Sequence, residues 1–167
     1  MRGRLVFGVG TLAAVLAAGS CTDNVGPTEV ENFVANLSGA KERPTPVTTT
    51  ATGVAYFSRV GNLVIYRVEV TGIDSAFAAH IHAPADTGQS IGVAVGLYTL
   101  AAPTGLSFSG AVGQGVLGAP TGMSTDSLLV LLRNGHAYVN VHTRGPTGAN
   151  GSGGHGGGEV RGQVVPQ

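Results

Sequence analysis

A chain of 167 residues with nine basic and nine acidic side chains has no formal net charge, and only 11% of its residues are charged. That balance leaves no electrostatic footprint for nucleic acid, and 43% apolar residues argue against a disordered chain. The 28 glycines follow no triplet period, so they belong to turns and loops, and a single cysteine excludes an intrachain disulfide.

The chain opens with Arg2 and Arg4, then an almost wholly small and apolar run from Leu5 to Ala18. This is the layout of a secretory signal, and the run is too short to favour a membrane-spanning helix, which needs about 20 residues. Ala18-Gly19-Ser20-Cys21 resembles a bacterial lipobox, with Ala18 where Leu, Val or Ile is usual. The resemblance implies that Cys21 is lipidated and becomes the mature N-terminus, so residues 1–21 are read as a signal peptide. Thr22 is not the Asp that usually retains such proteins on the inner membrane. An outer-membrane anchor is therefore expected if the source is Gram-negative. Residues 22–29 are polar, contain Gly26-Pro27 and read as a tether.

From Val30 the pattern has period two, and residues 30–167 are expected to form one domain. Phe33, Ala35 and Leu37 alternate with Val34, Asn36 and Ser38. A Pro/Thr-rich turn, Pro44 to Thr50, precedes a second strand at Val54–Arg59. Val64, Tyr66, Val68 and Val70 then alternate with Ile65, Arg67 and Glu69. Phe77–His82, Ile91–Leu97, Leu106–Val112, Tyr138–His142 and Glu159–Val165 continue the series. Short β-branched strands separated by Gly, Pro, Asn or Asp predict an all-β fold, an antiparallel Greek-key-type β-sandwich or barrel. One short helix is expected after Ser124-Thr125-Asp126, with Leu128, Leu129, Leu131 and Leu132 as its apolar stretch and Gly135 at its end. Gly145–Gly158 is too poor in apolar residues to supply core and is expected to be a mobile loop. No internal repeat is evident.

The histidines carry the chemistry. In Phe77–His82, alternation places Phe77, Ala79 and Ile81 on one face and His80 with His82 on the other. In Tyr138–His142 the valines face one way, and Tyr138, Asn140 and His142 the other. Both strands can bury aliphatics inward and present imidazoles outward. A His-x-His pair joined by a third His from a neighbouring strand makes a three-nitrogen set, and among divalent ions such a set favours copper on intrinsic affinity. His80, His82 and His142 are thus candidate ligands for one copper ion, with His155 of the Gly-rich segment as a fourth. Asn140, Glu159 and Arg161 are candidates to orient the ligands from behind. For Glu159 and Arg161, which alternate to one face, the simpler reading is a same-face ion pair. His136 is expected to face solvent or a turn. No G-x-S-x-G elbow is present, and Gly151–Gly158 lacks the Lys-Ser/Thr and helix of a phosphate loop.

Four motifs in order carry a wider resemblance: Leu37-Ser38-Gly39-Ala40-Lys41-Glu42-Arg43-Pro44, Ala79-His80-Ile81-His82-Ala83-Pro84-Ala85, Tyr138-Val139-Asn140-Val141-His142-Thr143 and Gly158-Glu159-Val160-Arg161-Gly162-Gln163. From Phe33 to Val165 the chain resembles the chordin-type (CHRD) domain family. The family takes its name from an extracellular growth-factor binder, and its bacterial members are exported. It has no catalytic residues to carry over, so none is assigned. His80, His82, His142 and Arg161 also occur in the order of the copper ligands and guiding arginine of copper/zinc superoxide dismutase, another β-sandwich. The bridging and zinc ligands and the disulfide cysteines of that family have no counterpart here, which leaves at most a mononuclear copper site.

Three functions follow as expectations. The first is an envelope-tethered metal-binding protein that binds, stores or delivers rather than turns over. The second is a non-catalytic adhesion or interaction module with structural histidines and a protein or glycan partner. The third is a copper-only dismutase-like enzyme.

Overall fold

The computed structural model describes residues 29–99, 107–144 and 154–167. Residues 1–21 and 22–28, read from the sequence as a signal peptide ending at Cys21 and most of a tether, lie outside the described residues, as do residues 100–106 with Leu106 and residues 145–153 of the Gly-rich segment. The elements run β1 (Val30–Ser38), a 3₁₀ turn (Gly39–Lys41), β2 (Thr52–Val60), β3 (Leu63–Asp74), β4 (Ala76–His82), β5 (Val93–Thr99), β6 (Ser107–Val116), α1 (Thr125–Arg133), β7 (Tyr138–Thr143), β8 (Val160–Gln163) and β9 (Val165–Pro166). The strands form one antiparallel array in the order β5-β4-β7-β8-β1-β2-β3-β6, with β9 paired to β1. The array curls until its two ends approach. Tyr66 on β3 donates its hydroxyl to Leu97 O on β5 at 2.5 Å, and Gly113 on β6 has no room for a side chain beside the same carbonyl. The result is a β-sandwich close to a barrel, with one helix among the described residues.

Period-two alternation builds the interior. Phe33, Ala35 and Leu37 of β1, Ala55 and Phe57 of β2, and Val64, Val68 and Val70 of β3 face a single apolar core. Ala79 and Ile81 of β4 and Val139 and Val141 of β7 face it from the other side. The helix forms where its capping residues predict. Ser124 Oγ accepts from the Ser127 amide at 3.1 Å, Leu128, Leu129 and Leu132 enter the core, and Gly135 takes the left-handed conformation (φ 71°) just past the end. The final strand is shorter than expected. It breaks at Val164, whose amide leaves the ladder to bond Ala137 O at 2.8 Å.

One residue departs from the predicted alternation. Phe77 is absent from the core and lies against His142, with ring centroids 6.0 Å apart, beneath the Arg144 guanidinium. A register irregularity between Ala76 and Ala78 in the β4–β7 ladder accounts for this, because a bulge re-aims the side chain it carries.

Candidate metal centre

The β4–β7 register decides which histidines meet. His80 pairs with Asn140, His82 with Tyr138, and Ala78 with His142. His80 and His142 are therefore diagonal neighbours on one face, within reach of long side chains. Each of His80, His82 and His142 offers one ring nitrogen, and the three nitrogens lie within 4.8 Å of one another. The tightest approach is His80 Nδ1 to His142 Nε2, at 2.9 Å. In a trigonal or tetrahedral centre with 2.0–2.1 Å bonds, ligand nitrogens stand about 3.3–3.6 Å apart. The spacings in the trio, from 2.9 Å up to 4.8 Å, bracket that range, and the cluster is able to chelate a metal ion.

Backbone carbonyls fix two of the rings. His82 Nδ1 donates to Ile91 O at 2.7 Å, and His142 Nδ1 donates to Gly156 O at 3.0 Å. Each of these bonds selects the tautomer that leaves Nε2 as a lone pair, the arrangement that orients metal-binding imidazoles. His80 Nδ1–H then donates to His142 Nε2, and a metal ion can take the place of that proton. His82 Nε2 faces Asn140 Oδ1 at 3.0 Å, while Asn140 Nδ2 donates to Gly157 O at 3.3 Å. In this tautomer two acceptors confront each other at His82, a contact that a cation relieves.

Burial keeps the rings neutral. It lowers His80 to about 4, with the neighbouring His142 and His82 adding to the effect. Burial also lowers His82 and His142, against the opposing pull of their hydrogen bonds to Ile91 and Gly156. Neutral imidazole is the form that binds metal, so no proton has to be displaced from a charged ring near neutral pH.

The imidazoles do not face open solvent as the alternation suggested. His82 and His142 are buried, as are Tyr138 and Asn140, and only His80 is half-exposed. The cover comes from the end of the Gly-rich segment. Its residues 154–158 pack over β7 through Gly156 O and Gly157 O, so this part of the expected mobile loop is structure. Gly158 carries the cover past Glu42 and Asn140 with φ 125°, where a side chain would overlap both.

The other candidate residues separate by role. His155 lies outside the trio, and it is its backbone that bonds Thr143. Asn140 touches His82 directly. Glu159 and Arg161 do not pair with each other. Glu159 accepts from Thr49 and Thr143 hydroxyls, both at 2.7 Å, and so anchors the end of β7. Arg161 lies over the Tyr138 ring, 3.4 Å from its centroid, and Tyr138 in turn stacks on His82 at 4.6 Å with the planes 4° apart. Arg161 thus meets the centre by way of the Tyr138 ring, and its charge also acts on His82. His136 is exposed at one edge, paired to Asp86 at 2.5 Å. Tyr138 was not singled out from the sequence, although its alternation with Asn140 and His142 places it on their face. Glu42 carried no periodic signal.

The family profile described as CHRD domain matches residues 33–164. No curated protein and no solved structure matches the chain.

Proposed function

The chain belongs to the CHRD domain family, and from that premise we propose that it holds one metal ion, copper, at His80, His82 and His142 on the outside of the cytoplasmic membrane. The observation that carries this reading is the convergence of three neutral imidazole nitrogens within 4.8 Å, two of them oriented by backbone carbonyls. An all-nitrogen set without thiolate or carboxylate suits copper, which heads the divalent series on such ligands. The signal-like leader and the lipobox-like Cys21 support export and lipid anchoring, at the outer membrane in a Gram-negative cell. Binding, storage or delivery is the role this reading gives to an ion held by three imidazoles.

The test is a calorimetric titration of Cu(II), Cu(I) and Zn(II) into the full chain in chelator-free detergent, beside His80→Ala/His82→Ala. One-to-one binding that is abolished in the variant is the expected result. Equal binding by both proteins would overturn the reading.

A second reading has its own observation. His82 and His142 each donate to a loop carbonyl, so the imidazoles could serve to pin the Ile91 and Gly156 segments in an interaction module. On that reading the double variant loses thermal stability while neither protein binds metal. Superoxide dismutation by the loaded protein, absent from the variant, would instead favour turnover.

A further inference from the structure

A second concave site lies on the outer face of the sheet, over β1 and β8 and beyond Tyr138 from the histidines. Its volume is about 430 Å³, within the range of small-molecule pockets. Lys41 and Arg43 reach it from the turn after β1, Arg161 from β8, and Thr87 from the loop after β4. Asn36 and Gln163 add amides, and Val34 and Val165 make an apolar flank. Among the described residues no acidic side chain lines it.

None of the three cations forms a salt bridge among the described residues. Arg59, Arg67 and Arg133 each pair with a carboxylate at 2.6 Å, whereas no carboxylate lies within 4.0 Å of Lys41, Arg43 or Arg161 among the described residues. The hydrogen bonds of the three go only to backbone carbonyls: Lys41 to Asn36 O, Arg43 to Ala40 O and Glu42 O, and Arg161 to Asp86 O. Arg161 is 2% exposed, and its Nη1 has no partner. A buried guanidinium with an unanswered donor is costly unless something supplies the acceptor. Three like charges around one concavity with low-dielectric walls also focus a positive potential into it.

We infer that this pocket binds a small organic anion, its carboxylate or phosphate held by Lys41, Arg43 and Arg161 and its apolar body laid on Val34 and Val165. Arginine presents a planar fork that matches either group, and lysine adds a mobile point charge at the rim. Glu42, the carboxyl behind Arg161, offsets this field only in part, because burial raises it to about 7.

The test uses inorganic phosphate, succinate and the uncharged succinamide as probes, titrated into the full chain at constant ionic strength. Amide shifts of Asn36, Thr87 and Gln163 are followed by NMR. Saturable shifts with phosphate alone assign a phosphate ligand, and with succinate a carboxylate one, provided succinamide gives none. Affinity should fall about tenfold or more in Lys41→Ala/Arg43→Ala, the loss expected for charge-assisted bonds. Arg67→Ala, a distant arginine with its own carboxylate, should bind as the parent does. Arg161 is left unchanged because its stack on Tyr138 supports the sheet. Absence of saturation with both anions, or equal affinity in the double variant, would overturn the proposal.

Discussion

Glu42 is 3% exposed, its Oε1 has no hydrogen-bond partner, and burial raises its carboxyl from the usual value near 4.5 to about 7 despite Arg161 and Arg43. A carboxyl raised on folding holds its proton more tightly in the native state. Stability therefore falls as pH rises from 4.5 to 7 and levels off above that, by on the order of 3 kcal/mol. The histidines act with the opposite slope. Their lowered values mean that the unfolded chain gains protons first, so stability present above pH 6.5 is lost as pH falls toward 4. Glu42→Gln separates the two effects. Urea midpoints should show the variant more stable than the parent at pH 8, by on the order of 3 kcal/mol, and nearly equal to it at pH 4.5. A parallel pH profile for both proteins would show that Glu42 is ionised in the fold. The histidine faces were legible at this scale because alternation along a strand is a local property. The partners of Glu42 and Arg161 were not. Three elements far apart in the chain, the turn after β1, β7 and β8, bring them to their places.

β8 is four residues long, yet it joins β7, which carries Asn140 and His142, to the β1–β2–β3 side of the sheet. Gly162 permits this junction, because a side chain there would overlap the Asn36 carbonyl on β1. Gly162→Ala should therefore destabilise the protein by about 1–3 kcal/mol in chemical denaturation, through displaced backbone rather than lost area. Gly96 on β5 is the control, since a side chain there meets nothing within 4 Å, and the same substitution should stay within about 0.5 kcal/mol. Equal costs would show that β8 has room to move. Strand existence was readable in the sequence for all the long segments, and so was the helix, because Ser124, the leucine spacing and Gly135 act locally. Phe77 was not readable. The bulge that turns it toward His142 is a property of the β4–β7 pairing and leaves no mark on the period of β4 alone.

At the scale of the whole molecule, the centre ties together three pieces that would otherwise be linked only by the sheet: β4 through His80 and His82, β7 through His142, and residues 154–158 through their carbonyls. An ion that binds the native state alone stabilises it by mass action, about 2.7 kcal/mol at a free concentration a hundredfold above Kd. Copper at that level should raise Tm by roughly 10 °C in differential scanning calorimetry, and a chelator should reverse the shift. A Tm indifferent to copper would mean that the trio is not loaded in the folded protein. The sequence by itself determined the all-β class, the core faces, the capped helix and the pairing of His80 with His82, because periodicity and capping depend on neighbours in the chain. It also contained the four motifs that place the chain in its family. Only the tertiary structure decided that His142 meets that pair and that His155 does not, since this rests on strand register. Tertiary packing likewise buried His82 and His142, laid a glycine segment over β7, put Tyr138 between His82 and Arg161, and left three cations around a pocket with no carboxylate in its described lining. Those outcomes depend on which strands lie side by side, and the non-local contacts that settle strand order have no period to be read.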